Sequence, residues 1–256
     1  MRHIWAALMS FSFTLAACLA FAQEPKSPAH EWSYEGAEGP AHWGDLKSDY
    51  ETCKLGKRQS PIDIRNATKS ELPAIRFDYQ PSPLRIINNG HTIQINYAPG
   101  SYIVVGEKRY ELRQFHFHHP SEERINGQPY DMVVHLVHAD KEGHLAVVAV
   151  LLKEGTANAA VQKLWDNFPR AADKEESIPD VEVNAAALLP PTLGYYTFEG
   201  SLTTPPCSES VTWYVLKTPV EASAGEVETF SKLYPHNARP VQPLNGRAIL
   251  GSDPKP

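Results

Sequence analysis

The feature that most constrains the fold is residues 114–118, where histidine and phenylalanine alternate in the order Gln-Phe-His-Phe-His. Because successive side chains of a β-strand point to opposite faces, His116 and His118 are predicted to lie on one face and the phenylalanines on the other. A second β-compatible run contains His135, and residues 126–127 between the two runs are Asn-Gly, which suits the positive φ angles of a tight turn. The pattern predicts two antiparallel strands that bring three imidazoles together.

Three neutral imidazoles on a rigid sheet favour a particular kind of metal site. Zinc that takes three protein ligands keeps its fourth tetrahedral position for water, which is typical of catalytic rather than structural sites. A His-x-His pair alone is weak evidence for a metal, so the motifs around it decide whether these histidines bind metal or merely pack.

Other short apolar runs bounded by proline, glycine and asparagine also predict strands. With the histidine-bearing runs they comprise residues 84–87, 92–97, 103–105, 113–118, 132–137, 145–152 and 211–216. No internal repeat or low-complexity linker divides the 256 residues, so one domain with one extensive, mainly antiparallel sheet is expected.

Two helices are predicted outside the sheet, both structural. The first has an apolar stripe with helical spacing and is stopped by Pro169. Its stripe comprises Val161, Leu164, Trp165 and Phe168. The second begins with Ser223 and Glu226, spaced as a capping box, and ends at Pro235. Its inward-facing residues are Val227, Phe230 and Tyr234.

Residues 1–22 have the pattern of a signal peptide. Arg2 precedes an uncharged stretch that ends in Ala-Phe-Ala at residues 20–22, a small-x-small cleavage pattern. Cleavage after Ala22 would leave 23–256 as an exported, periplasmic domain. The alternative is that residues 15–18 act as a lipobox, with a lipid on Cys18 as the anchor. No other segment is long and apolar enough to span a bilayer.

Net charge and cysteine content indicate which partners and which cellular compartment the protein is suited to. Arg2 is the only charged side chain of residues 1–22, so cleavage takes the formal net charge from −6 to −7, which disfavours nucleic-acid binding. The cysteines that remain are Cys53 and Cys207, an even pair that predicts one disulfide in an oxidising compartment. Two unrelated buried thiols are the alternative.

At six places the chain resembles the α-class carbonic anhydrases. The matching stretches are 56–64 (GKRQSPIDI), 88–91 (NNGH), 114–118 (QFHFH), 135–138 (HLVH), 200–207 (GSLTTPPC) and 237–240 (NARP). They occur in the family's order and cover nearly the whole chain after its first 30 residues. The resemblance implies a single catalytic domain over 23–256 that is mainly β with peripheral helices (α+β), built on a large central twisted, mostly antiparallel sheet.

The resemblance also implies an activity and a cofactor. It implies a lyase (carbonate dehydratase, EC 4.2.1.1) that interconverts carbon dioxide and water with bicarbonate and a proton, with Zn²⁺ held by His116, His118 and His135. Zinc lowers the pKa of bound water to about 7, a value that carbonic anhydrases themselves define, so zinc-bound hydroxide is the expected nucleophile. Thr203 would accept the proton of this hydroxide and donate its own to Glu122, which orients the attacking lone pair.

Other residues are assigned roles by the same resemblance. His91 is the expected proton shuttle, because histidine titrates near neutral pH. Residues expected to organise the connecting waters are Tyr34, Asn89 and Gln94. The expected apolar wall beside carbon dioxide comprises Val137, Val147, Leu202, Val211 and Trp213, and Thr204 would lie next to bicarbonate. Gln114 would support the first ligand through its side chain, and Asn237 the second through its backbone.

The chain departs from the family pattern at three positions near the site. Val133 stands two residues before His135, where the family usually has glutamate, and Glu123 stands where it often has histidine. Phe198 replaces a frequent tyrosine. Valine accepts no hydrogen bond, so His135 must bind water, another group or nothing. These departures bear on metal affinity and rate rather than on the reaction class.

Two other classes of function compete with an enzyme. A binding module on this fold would usually lack a ligand histidine, Thr203 or Glu122, all of which are present. A periplasmic zinc carrier would need to release its metal and would need no shuttle residue. The expected partner is the small-molecule substrate, carbon dioxide or bicarbonate. The sequence does not determine the oligomeric state, and a homodimer is one of the possible states.

Overall fold

The computed structural model describes residues 31–169 and 172–252. The predicted signal peptide over 1–22 and the alternative lipid site at Cys18 lie outside these ranges. Within them, no helix has both the length and the apolar character that a membrane crossing requires.

The described residues form fifteen strands in chain order. They are β1 (Asp63–Ile64), β2 (Thr68–Ser70), β3 (Ile75–Asp78), β4 (Ser82–Asn88), β5 (Ile93–Asn96), β6 (Tyr102–Val105), β7 (Lys108–His118), β8 (Arg124–Ile125), β9 (Met132–Ala139), β10 (Leu145–Glu154), β11 (Glu176–Val183), β12 (Tyr195–Ser201), β13 (Glu209–Leu216), β14 (Val220–Ala222) and β15 (Leu250–Ser252). Each run that the sequence predicts as a strand falls on one of them.

The helices are short and lie outside the sheet. They are α1 (Trp43–Leu46), α2 (Thr52–Leu55), α3 (Ala159–Trp165) and α4 (Ala224–Leu233), with 3₁₀ turns at Gly36–Glu38, Ser48–Tyr50 and Ala185–Leu188. Helix α4 has the predicted capping box, in which Ser223 and Glu226 each bind the other's backbone N–H. Helix α3 ends at Trp165, earlier than predicted, and Phe168 packs against the core from the turn that follows.

Thirteen of the strands form one sheet, whose main path runs β11-β4-β5-β7-β9-β10-β13-β12-β15-β2. Most neighbours are antiparallel, and the central β7–β9–β10 segment is antiparallel throughout. Parallel pairs join β10 to β13, β10 to β14 and β15 to β2. The structure confirms the predicted mainly β single domain and adds these parallel pairs.

The central strands separate two apolar clusters. Along β9 and β10, even-numbered residues such as Leu136 and Val148 pack into the larger cluster, which also contains the apolar faces of α3 and α4. Odd-numbered residues such as Val133 and Val147 pack into a smaller cluster on the other face. Successive side chains of a strand point to opposite faces of the sheet, so even-numbered and odd-numbered residues of β9 and β10 pack into different clusters. The histidine face of β7 lies on the side of the smaller cluster.

The Asn126-Gly127 turn lies between the antiparallel strands β7 and β9, as the sequence predicts, but it does not connect the two strands directly. Both residues have positive φ, 52° and 85°, as expected for a tight turn. The turn reverses the chain just after β8, so that Ile125 and Gln128 form an isolated antiparallel bridge. The longer β7–β9 connection also contains residues 119–125, so it has room for the two glutamates near the histidines.

Candidate metal centre

Three histidine side chains meet where β7 pairs with β9. The register sets His116 opposite His135 and His118 opposite Val133. The ring centroids are 5.0 Å apart for His116–His118, 5.5 Å for His116–His135 and 4.7 Å for His118–His135. One nitrogen from each ring lies within 4.8 Å of those of the other two.

Each of the three imidazoles forms a hydrogen bond, through one of its ring nitrogens, to an oxygen atom of another residue. Nδ1 of His116 lies 2.8 Å from Oε1 of Gln114, and Nδ1 of His118 lies 2.7 Å from the backbone oxygen of Asn237. For His135 the bonded atom is Nε2, which lies 3.1 Å from Oε2 of Glu123. A carbonyl or carboxylate oxygen accepts, so each of these nitrogens donates and the other keeps its lone pair. The free lone pairs are therefore on Nε2 of His116, Nε2 of His118 and Nδ1 of His135.

These donors fit a metal ion. Nε2 of His118 is buried and has no hydrogen-bond partner among the described residues, which is costly unless something else occupies its lone pair. Burial lowers the pKa of His116 to about 3 and that of His118 well below its usual value, so both rings are neutral. Burial also acts to lower the pKa of His135, but the Glu123 and Glu122 carboxylates outweigh it and raise that pKa. Neutral imidazole is the form that binds metal, so a bound zinc ion would displace any proton from His135, and three imidazole nitrogens suit zinc.

A buried carboxyl group adjoins the three rings. Oε2 of Glu122 lies 3.6 Å from Nε2 of His118 and 3.9 Å from Nδ1 of His135. Its other oxygen, Oε1, accepts a hydrogen bond of 2.8 Å from the backbone N–H of Arg239. Burial raises the pKa of Glu122 to about 7, although nearby His135, the Thr203 hydroxyl and the Arg239 N–H act in the opposite direction.

Thr203 is buried in the turn between β12 and β13. The N–H of Cys207 donates to the carbonyl of Thr204 over 2.8 Å, and a disulfide joins Cys207 to Cys53 with an S–S distance of 2.08 Å. The structure thus contains the disulfide that the cysteine count predicts, and this bond ties the Thr203 turn to helix α2.

Apolar side chains cover the side of the centre next to His135. The Trp213 ring is 5.0 Å from the His135 ring, nearly perpendicular to it. All five residues expected to form the apolar wall belong to, or pack against, the smaller cluster: Val137, Val147, Leu202, Val211 and Trp213. Phe198, which replaces a frequent tyrosine, stacks on Trp213 with a ring separation of 6.1 Å.

His91 lies in the turn between β4 and β5. Oδ1 of Asn89 accepts from the backbone N–H groups of His91 and Thr92, which fixes this turn. The imidazole stacks on Trp32 with 3.6 Å between ring centroids and an interplanar angle of 6°. Asn237 donates to the His91 carbonyl, so one residue supports both His91 and His118.

Two further residues expected in the water network have defined positions. Tyr34 makes an edge contact with Trp32 at 5.4 Å. Gln94 pairs with His116 across β5 and β7 and donates to Oδ1 of Asn96.

Sequence reasoning missed two residues of the site, Trp32 and Arg239. The Arg239 guanidinium is buried and donates to Oε1 of Gln59 and to the backbone oxygens of Ser60 and Cys53. Arg239 and Gln59 both occur in the motifs quoted above, and that was the available signal. Trp32 precedes the first of those motifs, and only its nearness in sequence to other aromatic residues could have drawn attention to it.

Comparison with known proteins supplies the family. The model of eukaryotic-type carbonic anhydrases matches residues 38–253, most of the chain. The chain belongs to the α-class carbonic anhydrase family. Its relatives in this family are lyases (EC 4.2.1.1), and the family consists of zinc enzymes.

Individual relatives are similar to this chain in sequence or structure over most of its length. The carbonic anhydrase of Nostoc sp. is 46% identical over 224 residues, which cover 86% of this chain and 85% of that protein. A hyperthermostable carbonic anhydrase from an active hydrothermal vent chimney superposes with a TM-score of 0.84 at 50% identity and covers 87% of this chain and 100% of its own. The α-carbonic anhydrase of Thermovibrio ammonificans, in complex with the inhibitor sulfanilamide, gives a TM-score of 0.83 at 44% identity, covering 88% and 100%.

Proposed function

We propose that this carbonic anhydrase hydrates carbon dioxide reversibly at a zinc ion held by Nε2 of His116, Nε2 of His118 and Nδ1 of His135. The observation that carries the proposal is the convergence of three imidazole nitrogens within 4.8 Å, two of them on buried rings and one on a half-buried ring, beside a buried carboxyl group and a buried threonine. Bound Zn²⁺ supplies a Lewis acid that lowers the pKa of water and makes a hydroxide nucleophile available at neutral pH.

Glu122 and Thr203 would orient the nucleophile. Because Oε1 of Glu122 already accepts from the Arg239 N–H, Oε2 is the oxygen available to the Thr203 hydroxyl. A threonine that donates to this carboxylate has only lone pairs left on Oγ1, so it accepts the proton of the attacking oxygen. A lone pair of that oxygen would then be directed at the carbon of carbon dioxide, and the apolar wall would accommodate carbon dioxide without competing hydrogen bonds.

His91 would carry the proton away after bicarbonate leaves. Hydration of carbon dioxide releases one proton for each bicarbonate formed, and an imidazole can take it up and pass it to buffer near neutral pH. The fixed turn around Asn89 and the stacking on Trp32 hold the ring in place. Waters organised by Tyr34, Asn89 and Gln94 would connect it to the site.

We also propose that the protein is exported to the periplasm after cleavage at Ala22. The disulfide between Cys53 and Cys207 supports an oxidising compartment. Mass spectrometry of the purified periplasmic protein should give a mature chain that starts at Gln23. A chain that starts at a lipidated Cys18 would contradict this and support the lipobox alternative.

Stopped-flow measurement of carbon dioxide hydration tests the activity. The purified protein should contain one zinc per chain, lose activity on chelation and recover it with added zinc. A protein that binds and releases zinc but does not accelerate hydration would be a zinc carrier. A protein that does neither would be a binding module.

A further inference from the structure

Glu123 is a buried acid whose side chain has one partner among the described residues. Its exposed fraction is 0%, and Oε2 lies 3.1 Å from Nε2 of His135. Its other oxygen, Oε1, is buried without a hydrogen-bond partner in the part of the chain described. A carboxyl group placed in this way costs free energy by desolvation, so its retention calls for a physical reason.

Related proteins usually have a glutamate at position 133, but this chain has a valine there, and the valine side chain accepts no hydrogen bond. Val133 is two residues before His135 on the same face of β9 and is 0% exposed in the smaller apolar cluster. Its side chain cannot accept the His135 Nε2–H. The carboxylate instead reaches that hydrogen from residue 123, in the connection between β7 and β8. Two departures from the family pattern therefore compensate for each other.

We infer that Glu123 is the positioning residue for His135, taking over in this chain the role that an acid at position 133 would otherwise have. The inference rests on the proposed zinc site. By accepting from Nε2–H, Glu123 keeps the lone pair of Nδ1 directed at the other two histidines and fixes the ring orientation.

The three orienting groups differ in charge. Gln114 and Asn237 offer neutral carbonyl oxygens to His116 and His118, whereas Glu123 offers a carboxylate to His135. A hydrogen bond to a charged acceptor is roughly twice as strong as one between neutral groups. Glu123 should therefore contribute most of the three to metal retention, and a bound cation would offset the cost of burying its charge.

The test measures zinc release into excess chelator, followed by a metal-sensitive dye, and unfolding of the metal-free protein. Glu123→Ala should release zinc about 10–100-fold faster than the wild type. Glu123→Gln keeps the shape and an acceptor oxygen but no charge, so it should release zinc at an intermediate rate. If Glu123→Ala does not fold, faster release from Glu123→Gln supports the inference and release at the wild-type rate overturns it.

A double variant tests the compensation directly. Glu123→His with Val133→Glu places the acid where the family usually has it and should restore release close to the wild-type rate. Val133→Glu alone adds a third buried acid beside Glu122 and Glu123 and should destabilise the metal-free protein. A double variant that loses zinc as fast as Glu123→Ala would contradict the exchange of roles.

Glu226→Gln is the matched control. Glu226 is also a buried acid, 2% exposed, but it caps α4 and has no contact with the histidines. This variant should lower stability without changing zinc release. If Glu123→Ala behaves in the same way, Glu123 is merely structural and the inference fails. Failure of the wild-type protein to bind zinc would overturn the proposed function itself, which is a separate result.

Discussion

At the scale of single residues, the centre depends on which ring nitrogen each histidine leaves free. Two histidines keep Nε2 and one keeps Nδ1, because their hydrogen-bond acceptors approach from different directions. An exchange of histidine for another ligand type would therefore disturb both the metal and the acceptor. Removal of one ring leaves two imidazoles, too few to hold zinc as three do.

His116→Ala, His118→Ala and His135→Ala should each lower zinc affinity by more than the roughly 10–100-fold expected for loss of a supporting group. Hydration activity should fall with zinc content, as measured by metal analysis and stopped-flow assay. His42→Ala is the control, because His42 is exposed at the start of α1 and belongs to neither group of described side chains that could hold a metal ion. Full zinc occupancy in one of the three variants would disprove that ligand.

His91→Ala should slow turnover by up to about 100-fold in dilute buffer, because proton removal then depends on solvent alone. Added imidazole should restore the rate, while the attack on carbon dioxide, measured as isotope exchange at chemical equilibrium, should change little. An unchanged rate in dilute buffer would remove His91 from the mechanism.

At the scale of secondary structure, β9 presents histidines to both faces of the sheet. His135 faces the metal centre and Trp213, whereas His138, three residues on, lies against Tyr79 in the larger cluster. Tyr79 Oη is 2.8 Å from Nε2 of His138. The same residue type therefore serves the site on one face and core packing on the other.

The pKa of the His138 imidazole is lowered to about 3 by burial, against roughly 6.5 in the unfolded chain. Between these values the unfolded chain binds a proton that the folded one does not, so stability falls as the pH decreases. His138 should lower the free energy of unfolding by about 2 kcal/mol between pH 7 and pH 5. Urea unfolding of the metal-free protein should show a smaller pH dependence in His138→Gln, and an equal one would contradict this.

Gly200 lets β12 pass close to Ser60. A Cβ atom at Gly200 would lie 2.2 Å from Oγ of Ser60 and 2.8 Å from Cδ1 of Trp213. Gly200→Ala should therefore destabilise the protein by about 1–3 kcal/mol in chemical unfolding. Gly225→Ala, in α4 with nothing within 4 Å of the added carbon, should be neutral or stabilising. Equal stability of the two variants would show that Ser60 moves aside at no cost.

At the scale of the whole molecule, segments far apart in sequence assemble around the Thr203 turn. The disulfide joins residues 154 positions apart, and Arg239 binds the backbone of Cys53 and Ser60. The backbone N–H of Ser60 donates to Oγ of Ser201 at the end of β12. Two bonds thus hold the ends of the Thr203 turn, and Arg239 holds the two residues, Cys53 and Ser60, to which they lead.

The Cys53→Ala/Cys207→Ala double variant should lose about 2–5 kcal/mol of stability, as expected for a disulfide that closes a long loop. We expect the hydration rate to fall before zinc is lost, because the bond restrains the Thr203 turn and not the histidines. Thermal unfolding, zinc analysis and stopped-flow rates would measure this. Two free thiols in the denatured, fully active exported protein would contradict the premise.

Much of the fold was predictable because its signals are local. Alternation of histidine with phenylalanine predicted β7, short apolar runs between turn residues predicted β9 and β10, and a capping box predicted the start of α4. Strand β11 was missed because its side chains are mostly exposed or half-exposed, Pro179 interrupts it and its register shifts against β4. Strand β12 was also missed, since its strand structure depends on pairing with β13 and β15.

The sequence alone determined the three histidines, the cysteine pair and the family, because these depend on residue types at fixed spacing. Three contacts follow from the fold instead: Glu123 with His135, the stacking of Trp32 on His91, and the hydrogen bond from the Arg239 backbone to Glu122. Each of these contacts involves a residue in a connection between strands, and the path of that connection over the sheet decides which residues meet. Strand periodicity specifies which face a side chain takes, but it does not specify which distant residue approaches that face.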